Sequence, residues 1–592
     1  MHTSVSTTFG RAARFVAALA VLAAAGAAQT PTLTTLYSFT GFPNGDGQNP
    51  TASVVFGANG SIFGTTPYGG SCTGSEAFCA ADGPYQAACP DGCGTIFELT
   101  PGTPWTEKVL YSFQGSQAAT PDGANPGAAL TAGTGVFYGT TFAGGATGNG
   151  TVFELTAPKE VGGAWTETVL YSFQAIATGS VNVNGETVTL VSGSPFVTGT
   201  TWNGLSVTIN GCAKTGGCTN GTYTVASVES PTVMTLTTST GTPEAGVNYW
   251  EASAAAGPWL GWPDGNNPGG GVVVLPNGNV YGTTTGGGSA GAGAVFQLAP
   301  PAGGTGPWTE ELIWNVGGGK FGSGPQSGLV VTKGSLYGTT CCGQVGGTVF
   351  KLSPVTGEPW QETTLYTFTS ETAGDGPFGG LAINATTGVL YGTTTGGGPG
   401  GAGIVFSLTP PTTTGNPYTL TTIHAFTSGT AAGTVNVSGT AVTWEAGSSF
   451  VTGSAWIGAS IEIHGTPYTI ASVTNASALT LTTSAGTQTG VGYLVNTGGE
   501  GGNPYGGVLL GSAGQLYVTV TIGGTLGAGA VLEFAPPATK GKPWTETILY
   551  SFTGGTDGSE PFAGVVLNGN SLYGTTAFDG ASGYGTVFEL TP

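Results

Sequence analysis

Positively charged side chains are scarce in this sequence. Its 592 residues contain 10 lysines and arginines against 30 aspartates and glutamates, so the formal net charge is −20. Both arginines, Arg11 and Arg14, lie near the N-terminus. Basic side chains that neutralise phosphate dominate affinity for nucleic acids, and arginine supplies the bidentate clamp for phosphate and carboxylate groups. The composition therefore argues against a nucleic-acid-binding protein.

Histidine and the common catalytic motifs are also nearly missing. Only three histidines occur, and His424 and His464 are the two beyond residue 2. There is no HExxH motif, and the many glycine clusters lack the strand-then-helix context of a phosphate-binding loop. The sequence therefore predicts no catalytic residues.

Long apolar runs are confined to the N-terminus. Arg11 and Arg14 precede an apolar run from Phe15 to Leu22 and a small-residue tail that ends near Ala28, the pattern of a signal peptide over residues 1–28. No later stretch approaches the roughly 20 residues of a membrane span. We expect a secreted or extracytoplasmic chain, in which eight lysines face 30 carboxylates for a net charge of −22.

One phrase recurs seven times. Each copy joins a run resembling WTETVLYSF, a run resembling LYGTT, a glycine-rich loop and a run resembling GTVFEL. The LYSF-like runs lie at residues 36–39, 110–113, 170–173, 312–315, 365–368, 423–426 and 549–552. A period of roughly 50 residues with four short strands is typical of β-propellers.

The ends of the chain predict how such a ring closes. The first LYSF-like run has no three strands before it, and the last GTVFEL run, which ends at Leu590, has no LYSF-like run after it. Joining them completes one blade and removes two exposed sheet edges. The sequence predicts an all-β fold, a seven-bladed β-propeller over residues 29–592 closed by its N-terminal strand. An open β-solenoid is the alternative.

Two copies are longer than the others, with extra residues at 175–256 and 427–497. The two segments resemble each other, since GSVNVNG from Gly179 matches GTVNVSG from Gly433. Alternating valine, threonine and isoleucine between glycine and asparagine indicates strands and turns. We predict one small inserted β module, used twice.

The repeated residues resemble a known family. LYGTTxxGGxxxxGTVFEL followed by WTExxLYSF is similar to the Gloeo/Verruco (GloVer) tandem repeat, over nearly all of the chain beyond the signal peptide except the two insertions. The resemblance implies an exported bacterial repeat protein with a β-propeller fold. It implies no activity and no site residues.

The cysteines fall into three local groups. They are Cys72, Cys79, Cys89 and Cys93 in one loop, Cys212 and Cys218 in the first insertion, and the neighbours Cys341 and Cys342. Local pairs in an exported chain favour structural disulfides over a metal cluster. Three connectivities are open for the first group, and the adjacent pair forms either a disulfide or two thiols.

An aspartate recurs in the loop that leads into a blade. The copies are Asp46, Asp122, Asp264, Asp375 and Asp557. Asp-Gly is common in turns, which predicts a structural role. The alternative hypotheses are a calcium site, which would make calcium the only cofactor, and paired acids that act on a glycan.

Tryptophans offer a second candidate site. Trp250, Trp259 and Trp262 lie just after the first insertion in a glycine- and proline-rich stretch. Such rings either stack on sugars or pin the insertion to its host. We therefore expect a binding or interaction protein with a carbohydrate or protein ligand. The alternatives are a polysaccharide-acting enzyme, a glycoside hydrolase or lyase using the loop carboxylates, and a purely structural envelope protein.

Overall fold

A computed structural model gives the structure of the chain. It describes residues 31–592 apart from 42–44, 72–91, 117–120, 161, 174–177, 194–205, 211–220, 231–232, 241–243, 253–263, 305, 344, 356–357, 370–372, 414–415, 428–429, 448–459, 465, 476, 497–500, 525 and 540. The predicted signal peptide lies outside the described residues. Within them the only helical element is the 3₁₀ turn Gly319–Phe321, so the prediction of an all-β chain is confirmed.

Most strands belong to four-stranded antiparallel sheets, of which the described residues form seven. The strands, from the first to the fourth of each sheet, are Val55–Phe56, Ile62–Thr66, Thr95–Thr100 and Thr106–Ser112 (sheet 1); Thr131–Ala132, Val136–Thr141, Thr151–Thr156 and Thr166–Ser172 (sheet 2); Val273–Val274, Val280–Thr284, Ala294–Ala299 and Thr309–Asn315 (sheet 3); Val330–Thr332, Ser335–Thr340, Thr348–Val355 and Glu358–Thr367 (sheet 4); Ala382–Ile383, Leu390–Thr394, Gly401–Thr409 and Thr419–Thr427 (sheet 5); Leu509–Leu510, Leu516–Val520, Ala530–Ala535 and Thr545–Ser551 (sheet 6); Val566–Asn568, Ser571–Thr576, Thr586–Thr591 and Thr32–Ser38 (sheet 7).

The second and third strands of each sheet carry the LYGTT-like and GTVFEL-like runs and are almost wholly buried. In sheet 1, Gly64 of the second strand lies opposite Phe97 of the third. A Cβ atom on Gly64 would lie 2.5 Å from the Phe97 ring, so the glycine of LYGTT makes room for the phenylalanine of GTVFEL. Strands buried on both faces explain why these runs lack a polar alternation.

Neighbouring sheets pack through aromatic rings. The LYSF phenylalanine after the fourth strand of one sheet meets the GTVFEL phenylalanine of the next, as in Phe113 with Phe153 at 5.3 Å and Phe368 with Phe406 at 5.4 Å between ring centroids. Between sheets 3 and 4, Val316 takes the place of the LYSF phenylalanine, and Trp314, at the position of the tyrosine, lies 4.7 Å from Phe350. In sheet 6, Leu532 takes the place of the GTVFEL phenylalanine. Each junction is thus a small hydrophobic core shared by two sheets.

The N-terminal strand belongs to the last sheet. Thr32–Ser38 pairs antiparallel with Thr586–Thr591, and Leu33 lies opposite Leu590. Phe39, fully buried, then contacts Phe97 of sheet 1 at 5.1 Å. Sheet 7 therefore packs on sheet 1 as the other neighbours pack on each other.

Two further sheets are closed six-stranded barrels. Their strands are Thr178–Asn184, Thr187–Gly193, Ser206–Asn210, Gly221–Ser230, Val233–Leu236 and Glu244–Ala252 in barrel 1, and Thr430–Ser438, Ala441–Gly447, Ser460–Ile463, Thr466–Asn475, Ala478–Leu481 and Thr487–Asn496 in barrel 2. Val435, Val442 and Ile461 are buried in the core of barrel 2. Both barrels fall between the fourth strand of one sheet and the first strand of the next.

Candidate ligand-binding site

The chain segment that leads into the first strand of each sheet, here called the entry loop, pairs with the loop after the second strand of the same sheet. Three entry loops form two-stranded ribbons, Gly47–Gln48 with Tyr68–Gly69, Gly123–Ala124 with Ala143–Gly144, and Gly265–Asn266 with Gly286–Gly287. The other four make single bridges, Ser323 to Cys342, Asp375 to Gly396, Gly502 to Ile522 and Ser559 to Phe578. Both kinds of loop therefore lie on the same face of the sheets.

A proline preceded by a left-handed residue sets the direction of most entry loops. Asn125 has φ 56° and Asn267 has φ 54°, and asparagine tolerates this conformation better than most residues. The side-chain amide of Asn125 donates to the Pro67 carbonyl at 3.0 Å, and that of Asn267 donates to the Phe142 carbonyl at 2.9 Å. Each of these entry loops is thereby tied to the sheet before it.

The residues after that proline surround a cavity of about 380 Å³. All seven sheets contribute, through residues 51–53, 127–131, 269–273, 326 and 328–329, 378–380, 505–507 and 562–564. We call this space the central cavity.

Threonines of the LYGTT-like strands hold the cavity wall in place. Thr65 donates to the Ala128 carbonyl at 3.0 Å, and Thr519 donates to the Ala563 carbonyl at 2.8 Å. The same bond links sheet 7 to sheet 1, where Thr575 donates to the Ala52 carbonyl at 3.1 Å. These buried hydroxyls satisfy backbone carbonyls of the neighbouring entry loop and make the wall a hydrogen-bonded frame.

One side of the central cavity is aromatic. Phe378, Tyr505 and Phe562 follow the proline in three consecutive sheets, and we call them the aromatic wall. The Phe378 and Tyr505 rings are stacked, with centroids 4.9 Å apart and planes 13° apart, whereas Tyr505 and Phe562 meet edge to face at 5.5 Å. Tyr505 is 36% exposed, so the wall is open to solvent.

The residues on the opposite side of the central cavity are small or polar. At the same repeat position sheets 1 to 4 carry Thr51, Gly127, Gly269 and Gln326. None of the described residues that line the cavity carries a charge. The space therefore combines an apolar wall with hydroxyl, amide and backbone groups, as small-molecule sites commonly do.

Four of the five predicted aspartates are buried against tyrosines of the LYSF-like strands. Asp122 is 4% exposed and accepts hydrogen bonds from the Tyr111 hydroxyl at 2.8 Å and from the Gly115 amide at 2.6 Å. The corresponding pairs are Tyr37 with Asp46 at 2.9 Å, Tyr171 with Asp264 at 2.8 Å and Tyr550 with Asp557 at 3.0 Å. These carboxylates fasten an entry loop to the preceding fourth strand and do not line the central cavity.

The remaining predicted residues are placed differently. Asp375 is exposed, and its backbone pairs with Gly396. Trp250 lies in the barrel 1 strand Glu244–Ala252, with a side chain outside the described part. Trp259 and Trp262 lie wholly outside the described residues.

The cysteines are only partly described. Cys341 and Cys342 are joined by a disulfide between adjacent residues, and Cys93 is disulfide-bonded. Cys72, Cys79, Cys89, Cys212 and Cys218 lie outside the described residues. Cys341 is buried beside the entry loop of sheet 4, with the Gln326 amide nitrogen 3.9 Å from its sulfur.

A second set of acids, unremarked by the sequence analysis, accompanies the buried aspartates. Burial raises the pKa of Glu107 to about 7 and that of Glu167 to about 8, and the Asp46 and Asp122 carboxylates add to the respective shifts. Burial also raises the pKa of Glu310, beside Asp264, well above its usual range. One carboxyl oxygen of each glutamate is buried without a hydrogen bond to the described part of the chain.

Metal and membrane features are not seen in the described part of the chain. No group of three or more histidine, cysteine, aspartate or glutamate side chains is arranged to hold a metal there. None of the described helical residues forms a span long and apolar enough to cross a membrane. His424 packs on Phe426 and Phe534, and its Nδ1 lies 3.6 Å from a Glu546 carboxylate oxygen.

Several solved structures are similar to this chain. A phage phi92 endosialidase is 12% identical with a TM-score of 0.29, covering 91% of this chain and 80% of that one. A puromycin hydrolase is 12% identical with a TM-score of 0.21, covering 82% and 59%. A Trypanosoma rangeli sialidase in complex with the inhibitor DANA is 10% identical with a TM-score of 0.26, covering 78% and 59%. At these identities and TM-scores the likeness assigns no activity to this chain.

Sequence comparison is more specific. No curated protein matches the chain. The model of one family, described as the Gloeobacter/Verrucomicrobia repeat, matches residues 232–453. The predicted resemblance to this repeat family is confirmed over residues 232–453.

Proposed function

We propose that the chain is an exported seven-bladed β-propeller, closed by its N-terminal strand, that acts as a binding or interaction protein. Its ligand occupies the central cavity. The two barrels are inserted β modules of this propeller, and the N-terminal 28 residues direct its export.

Support for the ring comes from the order of contacts. Each of the seven described sheets shares a core with the next, and the core around Phe39, Phe97 and Tyr573 joins the last sheet to the first. The threonine hydrogen bond from Thr575 to Ala52 spans the same junction. A closed ring has no free sheet edge at this junction.

The observation that carries the binding role is the composition of the central cavity. A hydrogen-bonded frame holds segments from all seven sheets around one space, and one side of it carries three aromatic rings, of which Tyr505 is exposed and Phe378 and Phe562 are half-buried. Exposed aromatic clusters are costly in a soluble protein and commonly mark binding sites. A rigid scaffold that presents loops in fixed positions suits recognition.

The buried aspartates give the enzyme alternative little support. A general acid or base must reach the proton that it transfers. Asp46 instead accepts hydrogen bonds from the Tyr37 hydroxyl, the Thr40 amide and hydroxyl and the Gly47 amide, and it is 6% exposed. The loop carboxylates therefore suit a structural task better than turnover.

The test is depletion of the purified mature chain from solution. Candidate matrices are insoluble polysaccharides, bacterial envelope fragments and immobilised secreted proteins, each with and without calcium, with reducing sugar assayed in the same tubes. We expect depletion by at least one matrix without release of sugar. Sugar release would instead favour the polysaccharide-acting enzyme, and no depletion by any matrix would contradict a binding role.

A cavity-blocking variant makes this test specific. Gly380 lines the central cavity, and a Cβ atom there would meet nothing within 4 Å. Gly380→Leu should fill the space and abolish depletion. Gly492→Leu in barrel 2 is the matched control, since a Cβ atom at that glycine is equally unobstructed. Undiminished depletion of Gly380→Leu would place the ligand outside the central cavity.

A further inference from the structure

We propose that the central cavity binds the uncharged end of a saccharide chain, with the aromatic wall as its stacking surface. The inference rests on the proposed binding role and adds the chemical class of the ligand. The proposed sugar-binding aromatic residues are Phe378, Tyr505 and Phe562. They replace the tryptophans expected from the sequence, Trp250, Trp259 and Trp262.

The central cavity is asymmetric. The aromatic wall occupies one repeat position in sheets 5, 6 and 7, and the same position in sheets 2 and 3 is Gly127 and Gly269. The packing of similar repeats does not by itself explain why large aromatic side chains lie on only one side of the cavity. A ligand with one apolar face and one hydroxyl-rich edge fits this arrangement, and a sugar ring has both.

The three rings of the aromatic wall contact one another. Phe378 and Tyr505 stack on each other and Phe562 meets Tyr505 edge to face, so the three rings brace one another. Phe562 is supported in turn by Phe578, at 6.5 Å between centroids. A braced ring loses little conformational entropy when a ligand packs on it, which favours aromatic binding surfaces.

The charge distribution favours a neutral ligand. No described residue of the cavity lining is charged, and the chain as a whole is strongly acidic. An anionic saccharide would meet repulsion from the surrounding protein and no cation in the cavity. A neutral saccharide needs only the groups that are there, such as the Thr51 hydroxyl, the Gln326 amide and the glycine backbone.

The size of the central cavity suits a small ligand or the end of a chain. A volume of about 380 Å³ falls in the range of roughly 300–1,000 Å³ that is usual for small-molecule sites. It admits the end of a saccharide chain and excludes a folded protein surface. In this proposal the ligand enters end-on from the face that carries the entry loops.

The experiment compares neutral and anionic polysaccharides by affinity gel electrophoresis. The probes are starch, laminarin and galactomannan, with polygalacturonate as the anionic counterpart. The proteins are the mature chain, Tyr505→Ala, Phe562→Ala and the control Phe142→Ala. Phe142 is also an exposed aromatic on this face, at 45% exposure, but it lies outside the cavity lining.

We expect at least one neutral polysaccharide to retard the mature chain and polygalacturonate to leave it unretarded. Loss of one ring should weaken binding by about two- to twelvefold, the range expected for one aromatic contact, and Phe142→Ala should bind as the mature chain does. Gly380→Leu checks the site independently if Tyr505→Ala or Phe562→Ala does not fold.

Three results would overturn the inference. They are retardation by polygalacturonate alone, neutral binding that survives Tyr505→Ala, Phe562→Ala and Gly380→Leu, and no retardation by any probe. In the last case, capture of the chain by envelope fragments or secreted proteins in the depletion test would leave the proposed binding role standing. The two proposals therefore fail separately.

Discussion

The Tyr111 hydroxyl donates a 2.8 Å hydrogen bond to the buried carboxylate of Asp122, and this bond joins two different sheets. Tyr111 belongs to the fourth strand of sheet 1, whereas Asp122 lies in the entry loop of sheet 2. The Gln114 and Gly115 amides bind the same carboxylate. The tyrosine of LYSF and the aspartate of the Asp-Gly pair thus form one structural unit.

This unit predicts the effect of removing either partner. Tyr111→Phe should lower the free energy of unfolding by about 1–2 kcal/mol, and Asp122→Ala should lower it by more, because buried amide donors then lose their acceptor. Chemical denaturation measures both. Asp375→Ala is the control, because Asp375 is exposed and should change stability by less than about 0.5 kcal/mol. Unchanged stability in Asp122→Ala would contradict a structural role.

The buried glutamates predict a pH dependence of stability. The folded chain favours protonated Glu107 and Glu167, whose pKa values are raised to about 7 and about 8, against about 4.3 in an unfolded chain. Their contribution to the free energy of unfolding is fully present below the unfolded-chain pKa and is lost as pH rises through the folded-chain values of about 7 and about 8. Thermal unfolding from pH 5 to 9 should show this decline.

Neutral substitutions test whether the two glutamates cause this decline of stability with pH. Glu107→Gln and Glu167→Gln keep the uncharged form at every pH, so each should flatten the decline. Glu160→Gln changes an exposed glutamate of sheet 2 and serves as the control. A decline that is equally steep in all three variants would assign it to other groups.

Much of the fold follows from the sequence because each repeat carries its own strand signals. Most repeats have a glycine equivalent to Gly64 in the LYGTT-like run and a phenylalanine equivalent to Phe97 in the GTVFEL-like run. The period alone therefore indicates that the two runs form paired strands. The Tyr111 and Asp122 bond does not follow from the period, since the two side chains belong to different sheets and only their packing brings them together. From the sequence, an Asp-Gly pair therefore indicates only a local turn and not a bond between two sheets.

The aromatic wall was visible in the sequence in a different way. Phe378, Tyr505 and Phe562 each follow a proline at one repeat position, and comparing that position across the seven copies separates them from Thr51 and Gly127. The acids of these loops are the more conspicuous feature of the sequence, because charged side chains are the usual sign of chemistry. The convergence of the seven segments on one cavity required the three-dimensional structure.

Calcium should leave the thermal stability of the chain unchanged. A calcium ion takes six to eight oxygen ligands, whereas the Asp46 carboxylate already accepts hydrogen bonds from Tyr37, Thr40 and Gly47. We expect the thermal midpoint in calcium chloride to equal that in magnesium chloride at the same concentration, with a chelator-treated sample as the baseline. A rise specific to calcium would revive the cation hypothesis for the entry loops.

The N-terminal strand should be needed for the stability of the whole ring. Phe39 is fully buried and its ring lies 5.1 Å from Phe97, so Phe39→Ala should cost about 3–5 kcal/mol, as expected for a large core residue. Removal of residues 29–39 should cost more and promote aggregation, because it uncovers the edge of Thr586–Thr591. Chemical denaturation and light scattering measure the two effects. Phe142→Ala is the matched control, since its exposed ring belongs to none of these cores. If Phe39→Ala were as stable as Phe142→Ala, sheet 7 would not depend on its N-terminal strand and the closed propeller would be wrong.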